Sequence, residues 1–301
     1  MTSADVGAGT RPRAPGLASM LYNAPSTSVE APRDCWGFGG LHGGLALAMA
    51  AALMEQSAPG QELRSVTGQF HRPIRTTVAI DANVIRAGRS ASAAQAAATG
   101  PEGICLSATG ILGVDQPGAA PFLASEAPDV PGPGELLPLA NPEGWAPVLS
   151  QVEIRPVHPI RPYAGAGEPV NTAWMRLRDS DEPINRRSLI FFLDVLPPSY
   201  ANVLTEQRPV PTLDFSAHLT SNELTSPWVL VRSRTTRASS GGWVTELMDA
   251  WDPDRVHLAT AQQLRLAPAP RYPAETRAHD KEPPRTDRPT PETNRGASEA
   301  P

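Results

Sequence analysis

Lysine is almost missing from this sequence. Lys281 stands alone, which leaves 25 of the 26 basic residues as Arg. Schiff-base chemistry, a phosphate-loop lysine and a buried catalytic ammonium all need a lysine in a folded core, and Lys281 lies in a proline-rich, polar stretch that can build none. Cysteine is equally scarce: Cys35 and Cys105 are the only two. They show no CxxC or Cys/His spacing, so they read as reduced structural thiols rather than as metal ligands, a disulfide or a nucleophile. The six histidines show no ligand spacing either, so no metal is implied. No apolar run is long enough to cross a bilayer; the longest, from Gly43 to Met54, falls well short of about 20 residues. Met1 to Ala24 lacks the charged-then-apolar layout of a signal segment, so a cytoplasmic protein without membrane contact is expected. Excess positive charge is absent too, at a net −5, which removes nucleic acid as an expected partner.

Proline, by contrast, is abundant: 34 in 301 residues, about twice the usual usage. Proline cannot sit inside helices or central strands, so these residues mark what is not core. Eight fall between Pro268 and Pro301, a stretch without Leu, Ile, Val, Met, Phe or Trp, and a disordered tail is expected over 268–301. Residues 1–24, rich in Gly, Ala, Ser and Pro, read as a flexible arm. Another eight prolines fall within 115–150, read as a linker between two folded units at 25–114 and 151–267.

Each unit reads as one apolar helix with several strands. The first helix is expected over Leu41 to Met54, behind the Gly-rich entry Gly39, Gly40, Gly43 and Gly44. Strands are expected at Ser65–Phe70, Thr77–Ala87 and Ile104–Leu112. In the second unit a helix is expected over about Arg186 to Leu196, stopped by Pro197-Pro198. Its strands are expected at Gln151–Val157, Thr172–Arg178, Thr212–Leu219, Trp228–Thr236, Trp243–Trp251 and Val256–Leu266. The units repeat: Thr67-Gly68-Gln69-Phe70 lies over Thr212-Leu213-Asp214-Phe215, and Ile104 to Thr109 lies over Val256 to Ala261. A helix followed by an antiparallel meander, twice over, leaves sheet edges that can pair with each other or with another copy of the chain, hence a homo-oligomer among the expectations.

This duplicated unit resembles the hotdog fold, and in particular the double-hotdog acyl-CoA thioesterases of the thioesterase II type. The resemblance rests on Phe38-Gly39-Gly40, Phe70-His71-Arg72-Pro73-Ile74 and Arg86-Ala87-Gly88-Arg89-Ser90 in the first unit. In the second it rests on Asp194 within Phe192 to Pro198, on Thr212 to Phe215, and on Trp251-Asp252-Pro253-Asp254 running into Ala259-Thr260-Ala261-Gln262. Together these span about residues 30 to 267. The resemblance implies an α+β fold, a tandem double hotdog of two antiparallel sheets, each wrapped around a central helix. It implies an acyl-CoA substrate, no cofactor, and hydrolysis of the thioester by a water held by Asp194, Thr212 and Gln262.

The residues argue partly for themselves. Asp194 lies between Leu189 to Leu193 and Val195-Leu196, and a buried carboxylate is costly without partners; the bland alternative is a helix-end carboxylate facing solvent. Thr212 can equally be just a good strand former. Gln262 adjoins Gln263, and strand alternation sends one inward and the other out, so a slip of one residue would hand the role to Gln263. The first unit has Met49 or a neighbouring Ala at the place of Asp194 and Gly110 at the place of Gln262, so one site per chain is expected. His42-Gly43-Gly44 resembles the His-Gly-Gly of single-hotdog thioesterases, which implies that amides near Gly43 and Gly44 face the thioester oxygen. His42 is the reserve candidate for the base, although it also reads as a packed or solvent-facing residue. Arg232, Arg234 and Arg237 form a basic strip that fits either coenzyme A phosphates or a solvated outer face. A silent acyl-CoA or acyl-carrier binding module remains an alternative function. So does a hydratase, although no Asp-x-Asn-x-x-His segment is present.

Overall fold

The order of the strands carries the internal repeat. In the computed structural model, which describes residues 16–116, 118, 123–140, 146–165, 167–220 and 224–269, three helices and eleven strands alternate as follows. They are α1 (Leu17–Tyr22), β1 (Ser28–Val29), α2 (Gly43–Ser57), β2 (Glu62–Phe70), β3 (Val78–Arg86), β4 (Ala91–Gly100) and β5 (Gly103–Gly113). The second half follows with β6 (Val152–Pro156), β7 (Val170–Leu177), α3 (Arg186–Phe192), β8 (Thr212–Leu219), β9 (Val229–Ala238), β10 (Trp243–Trp251) and β11 (His257–Leu266). The strands form one antiparallel sheet in the order β1-β3-β4-β5-β2-β8-β11-β10-β9-β7-β6. Read outward from the middle, β2-β5-β4-β3 on one side is matched by β8-β11-β10-β9 on the other.

Two sheets were expected and one is found. The two halves join where β2 pairs β8, from Ser65 opposite His218 to Gln69 opposite Asp214. Each half's open edge offers unpaired N–H and C=O groups, and here each edge satisfies the other. Across the seam the Thr67 and Ser216 hydroxyls hydrogen-bond at 2.9 Å.

Helix α2 packs on β2 to β5 and against α3, and every residue from Gly44 to Met54 is buried. A helix buried all round needs small residues where backbones approach, and the alanines of this one supply them. At Gly68 of β2 a Cβ atom would lie 2.6 Å from Leu47 Cδ1, so glycine there sets how closely α2 sits on the sheet.

Several elements depart from expectation. Strand β4, Ala91–Gly100, was not expected, because its alanines carry little strand preference; inward Ala94, Ala96 and Ala98 fit under α2 where larger side chains would not. Helix α3 ends at Phe192 rather than Leu196, and the chain then tightens into turns in which Asp194 N–H donates to Phe191 O at 3.0 Å and Val195 N–H to Phe192 O at 3.3 Å. The arm was expected to be loose, yet its last part forms α1 with Leu17, Met20 and Leu21 buried. Residues 1–15 and 270–301, which hold the rest of the arm and nearly all of the expected tail, lie outside the described residues. Within the Pro-rich stretch, residues 125–136 lie against the second half: Trp174 Nε1–H donates to Pro131 O at 2.9 Å and Trp251 Nε1–H to Ser125 O at 3.1 Å.

Candidate active site

Where α3 tightens into its terminal turn, Asp194 meets the start of α2. The N-cap residue His42 provides no side-chain cap, so the orphan amides of the first turn need another acceptor. Asp194 supplies one, its Oδ2 accepting from Gly44 N–H at 2.8 Å. A carboxylate at a helix N-terminus is favoured by the helix dipole and by free amide hydrogens together. Glycine is required here, because a Cβ at position 44 would lie 2.7 Å from Asp194 Cβ.

The other carboxylate oxygen, Oδ1, accepts from Gln263 Nε2 at 2.7 Å, and Gln263 Oε1 in turn accepts from the Thr212 hydroxyl at 3.3 Å. The side chain that reaches Asp194 is therefore that of Gln263. Gln262 points away and is exposed, whereas Gln263 is fully buried and sits opposite Phe215. Strand alternation decides between the two, as it must. Thr212 reaches the same side because the register of β8 slips beside Leu264–Arg265, with Leu213 as the extra residue of a bulge. The geometry thus brings together Asp194, Thr212, Gly44 and Gln263, with Gln262 left out.

The two glycines differ. Gly44 gives its N–H to Asp194 and so does not face outward to a ligand as expected. Gly43, whose notional Cβ would touch Asp194 Oδ2 at 3.2 Å and the Phe70 ring at 3.3 Å, has an amide with no protein acceptor among the described residues.

His42 is buried against Phe191, ring centroids 5.2 Å apart. Its Nε2 lies 3.1 Å from the Asp194 carbonyl oxygen and 3.7 Å from Oδ2. Burial holds its imidazole below the usual range, outweighing the pull of the Asp194 carboxylate. A neutral ring that donates from Nε2 to the carbonyl leaves Nδ1 as a buried atom without a partner. His42 therefore braces the turn that carries Asp194. On the far side stands Arg265, two residues beyond Gln263 on the same face of β11, with Nη2 3.7 Å from Asp194 Oδ1. Composition and motif spacing gave no signal for it.

The basic strip lies elsewhere. Arg232 and Arg234 point to the face of the sheet opposite Gln263, and Arg232 stacks over the Trp251 ring at 5.2 Å, which excludes them from the Asp194 site. A cleft of about 380 Å³ lined by Thr67, Gln69, Asp81, Gln95, Ser107 and Thr109 contains none of the site residues. Both cysteines are free and buried. Among the described residues no group of His, Cys, Asp or Glu could hold a metal ion, and no helix is long and apolar enough to cross a membrane.

A long antiparallel sheet built from two like halves, with α2 packed on the first, is the architecture of the hotdog class, and solved structures agree. A hot dog fold protein of unknown function from Alicyclobacillus acidocaldarius superposes with a TM-score of 0.72 at 21% identity, covering 81% of this chain and 93% of its own. A candidate thioesterase II from Thermobifida fusca gives 0.69 at 21%, covering 80% and 91%. An acyl-CoA thioesterase II from Mycobacterium marinum gives 0.62 at 18%, covering 77% and 90%. In sequence, residues 32–113 match the acyl-CoA thioesterase N-terminal domain and residues 128–267 the acyl-CoA thioesterase C-terminal domain, so the chain belongs to the acyl-CoA thioesterase family. No curated protein matches it significantly. The family match supports thioester hydrolysis as its general chemistry.

Proposed function

We propose that this chain hydrolyses acyl-CoA thioesters to the free acid and coenzyme A, with Asp194 as general base. The observation behind this reading is the convergence of Asp194, Gln263 and Thr212 from three different elements at the start of α2. A thioester carbonyl is electrophilic, and a thiolate whose conjugate thiol has a pKa near about 8.5 leaves readily. The protein's work reduces to aiming and deprotonating a water and steadying the oxyanion.

Each Asp194 oxygen accepts one protein N–H and keeps a second lone-pair direction for a water proton. Gln263 takes the part that the motif match gave to Gln262: it holds the carboxylate in place, and Thr212 fixes the Gln263 amide. The water oxygen adds to the thioester carbon while Asp194 takes its proton. The carbonyl oxygen gathers the negative charge near the unpartnered Gly43 amide. As the C–S bond breaks, the carbonyl reforms, and the proton held on Asp194 passes to the departing sulfur or to solvent. Release of free thiol from acyl-CoA esters of short, medium and long chain tests the reading. Steady thiol release from at least one chain length is expected, and none from any of them would overturn it.

A further inference from the structure

Behind the proposed base stands a buried ion pair that the reaction as drawn does not use. Arg265 and Glu246 have side chains only 7% and 2% exposed, and Arg265 Nε donates to Glu246 Oε2 at 2.8 Å. Glu246 Oε1 accepts the Ser199 N–H at 2.6 Å, and Arg265 Nη1 donates to Val210 O at 3.4 Å. The remaining nitrogen, Nη2, lies 3.7 Å from Asp194 Oδ1.

Burying such a pair carries a large desolvation cost, and apolar residues of similar volume often serve stability as well or better. Position explains what stability does not. Arg265 shares its strand face with Gln263 and puts a fixed cation beside the carboxylate that the mechanism needs ionised, while Glu246 neutralises part of that cation from behind. We propose that Arg265 is a positioning residue for Asp194, keeping its carboxylate charged and aimed at the water, and that Glu246 sets how much of the Arg265 charge Asp194 feels.

The groups facing Asp194 are few. From α2 come the Gly44 amide and the neutral His42; from β11, Gln263 and Arg265; from β8, through Gln263, Thr212; and from β10, through Arg265, Glu246. Arg265 is the only permanent cation among them, so removing it has a definite sign: the carboxylate protonates more readily. Removing Glu246 has the opposite sign, because Arg265 then acts unopposed. A merely structural pair would not give two opposite shifts.

The inference rests on Asp194 being the base, and the test separates the two. The measurement is kcat/KM for acyl-CoA hydrolysis against pH, whose acid limb reports the free enzyme's base. In Arg265→Gln the limb should move up by about one pH unit, a tenfold loss at a pH below it, with KM little changed. Glu246→Gln should move the limb down, and Arg265→Lys, which keeps the charge, should return it most of the way. If Arg265→Gln alone fails to fold, the double variant R265Q/E246Q, which leaves no lone buried charge, must still show the limb moved up. Unmoved limbs, or a shift in the same direction for both single variants, overturn the inference. An Asp194→Asn variant that hydrolyses at the wild-type rate overturns instead the proposal that Asp194 is the base.

Discussion

Gly44→Ala places one methyl group where the structure has no room. Its Cβ would sit 2.7 Å from Asp194 Cβ and 3.2 Å from Phe191 O, while packed carbons keep about 3.5 to 4.0 Å. Asp194 must withdraw by about 1 Å, together with the turn that holds it. Overpacking of this kind costs about 1–3 kcal/mol. The better helix preference of alanine returns at most about 1 kcal/mol. The net loss, up to about 2 kcal/mol, lowers the melting temperature by up to roughly 8 °C for a domain of this size. The larger effect is on rate: the retreat breaks the bond from Gly44 N–H to Oδ2, and a misplacement of about 1 Å can cost about a hundredfold. Gly39→Ala is the control, because nothing lies within 4 Å of its added Cβ. Thermal unfolding by circular dichroism and thiol release would be measured for both variants. If Gly44→Ala melts with the wild type and hydrolyses at its rate, the contact between Asp194 and the start of α2 is not as described.

Two further outcomes follow from the same geometry. Gln263→Ala should lower the hydrolysis rate by tenfold or more, because it frees the Asp194 carboxylate and the Thr212 hydroxyl together, while Gln262→Ala on the exposed face should match the wild type; equal effects in thiol-release assays would refute the register. His42, whose folded-state value lies below the ordinary 6.5, binds fewer protons folded than unfolded, so stability is full above about pH 6.5 and falls as pH drops below it, at no more than about 1.4 kcal/mol per pH unit. Urea unfolding of His42→Gln should show a flatter pH dependence between about pH 6.5 and 5, and an unchanged slope would remove His42 as its cause.

The residue pattern carried the repeat and the antiparallel strands, because those depend on local preference, and the family resemblance pointed to Asp194 and Thr212, which the structure brings together through Gln263. Strands β8 and β10 fall where the pattern put them, at Thr212–Leu219 and Trp243–Trp251. What it missed depends on tertiary contact. The alanine strand β4 is held by its ladders to β3 and β5, with α2 close above its inward alanines. The end of α3 is set where its terminal turn delivers Asp194 to α2. The choice between Gln262 and Gln263 turns on a register that a single pair of glutamines cannot reveal. Arg265 and Glu246 lie 19 residues apart in sequence and meet only because β10 pairs β11.

The central claim is that Asp194 activates the water, and Asp194→Asn tests it most directly. The substitution keeps the shape, and the new amide can be accommodated if the Gln263 amide turns over and the Thr212 hydroxyl rotates, since a hydroxyl can donate or accept. The fold should therefore survive, with thermal unfolding close to that of the wild type. Hydrolysis of acyl-CoA, followed by thiol release in the same preparation, should fall by roughly a hundredfold or more, as loss of a general base does. A folded Asp194→Asn protein that releases coenzyme A at near the wild-type rate would contradict the account.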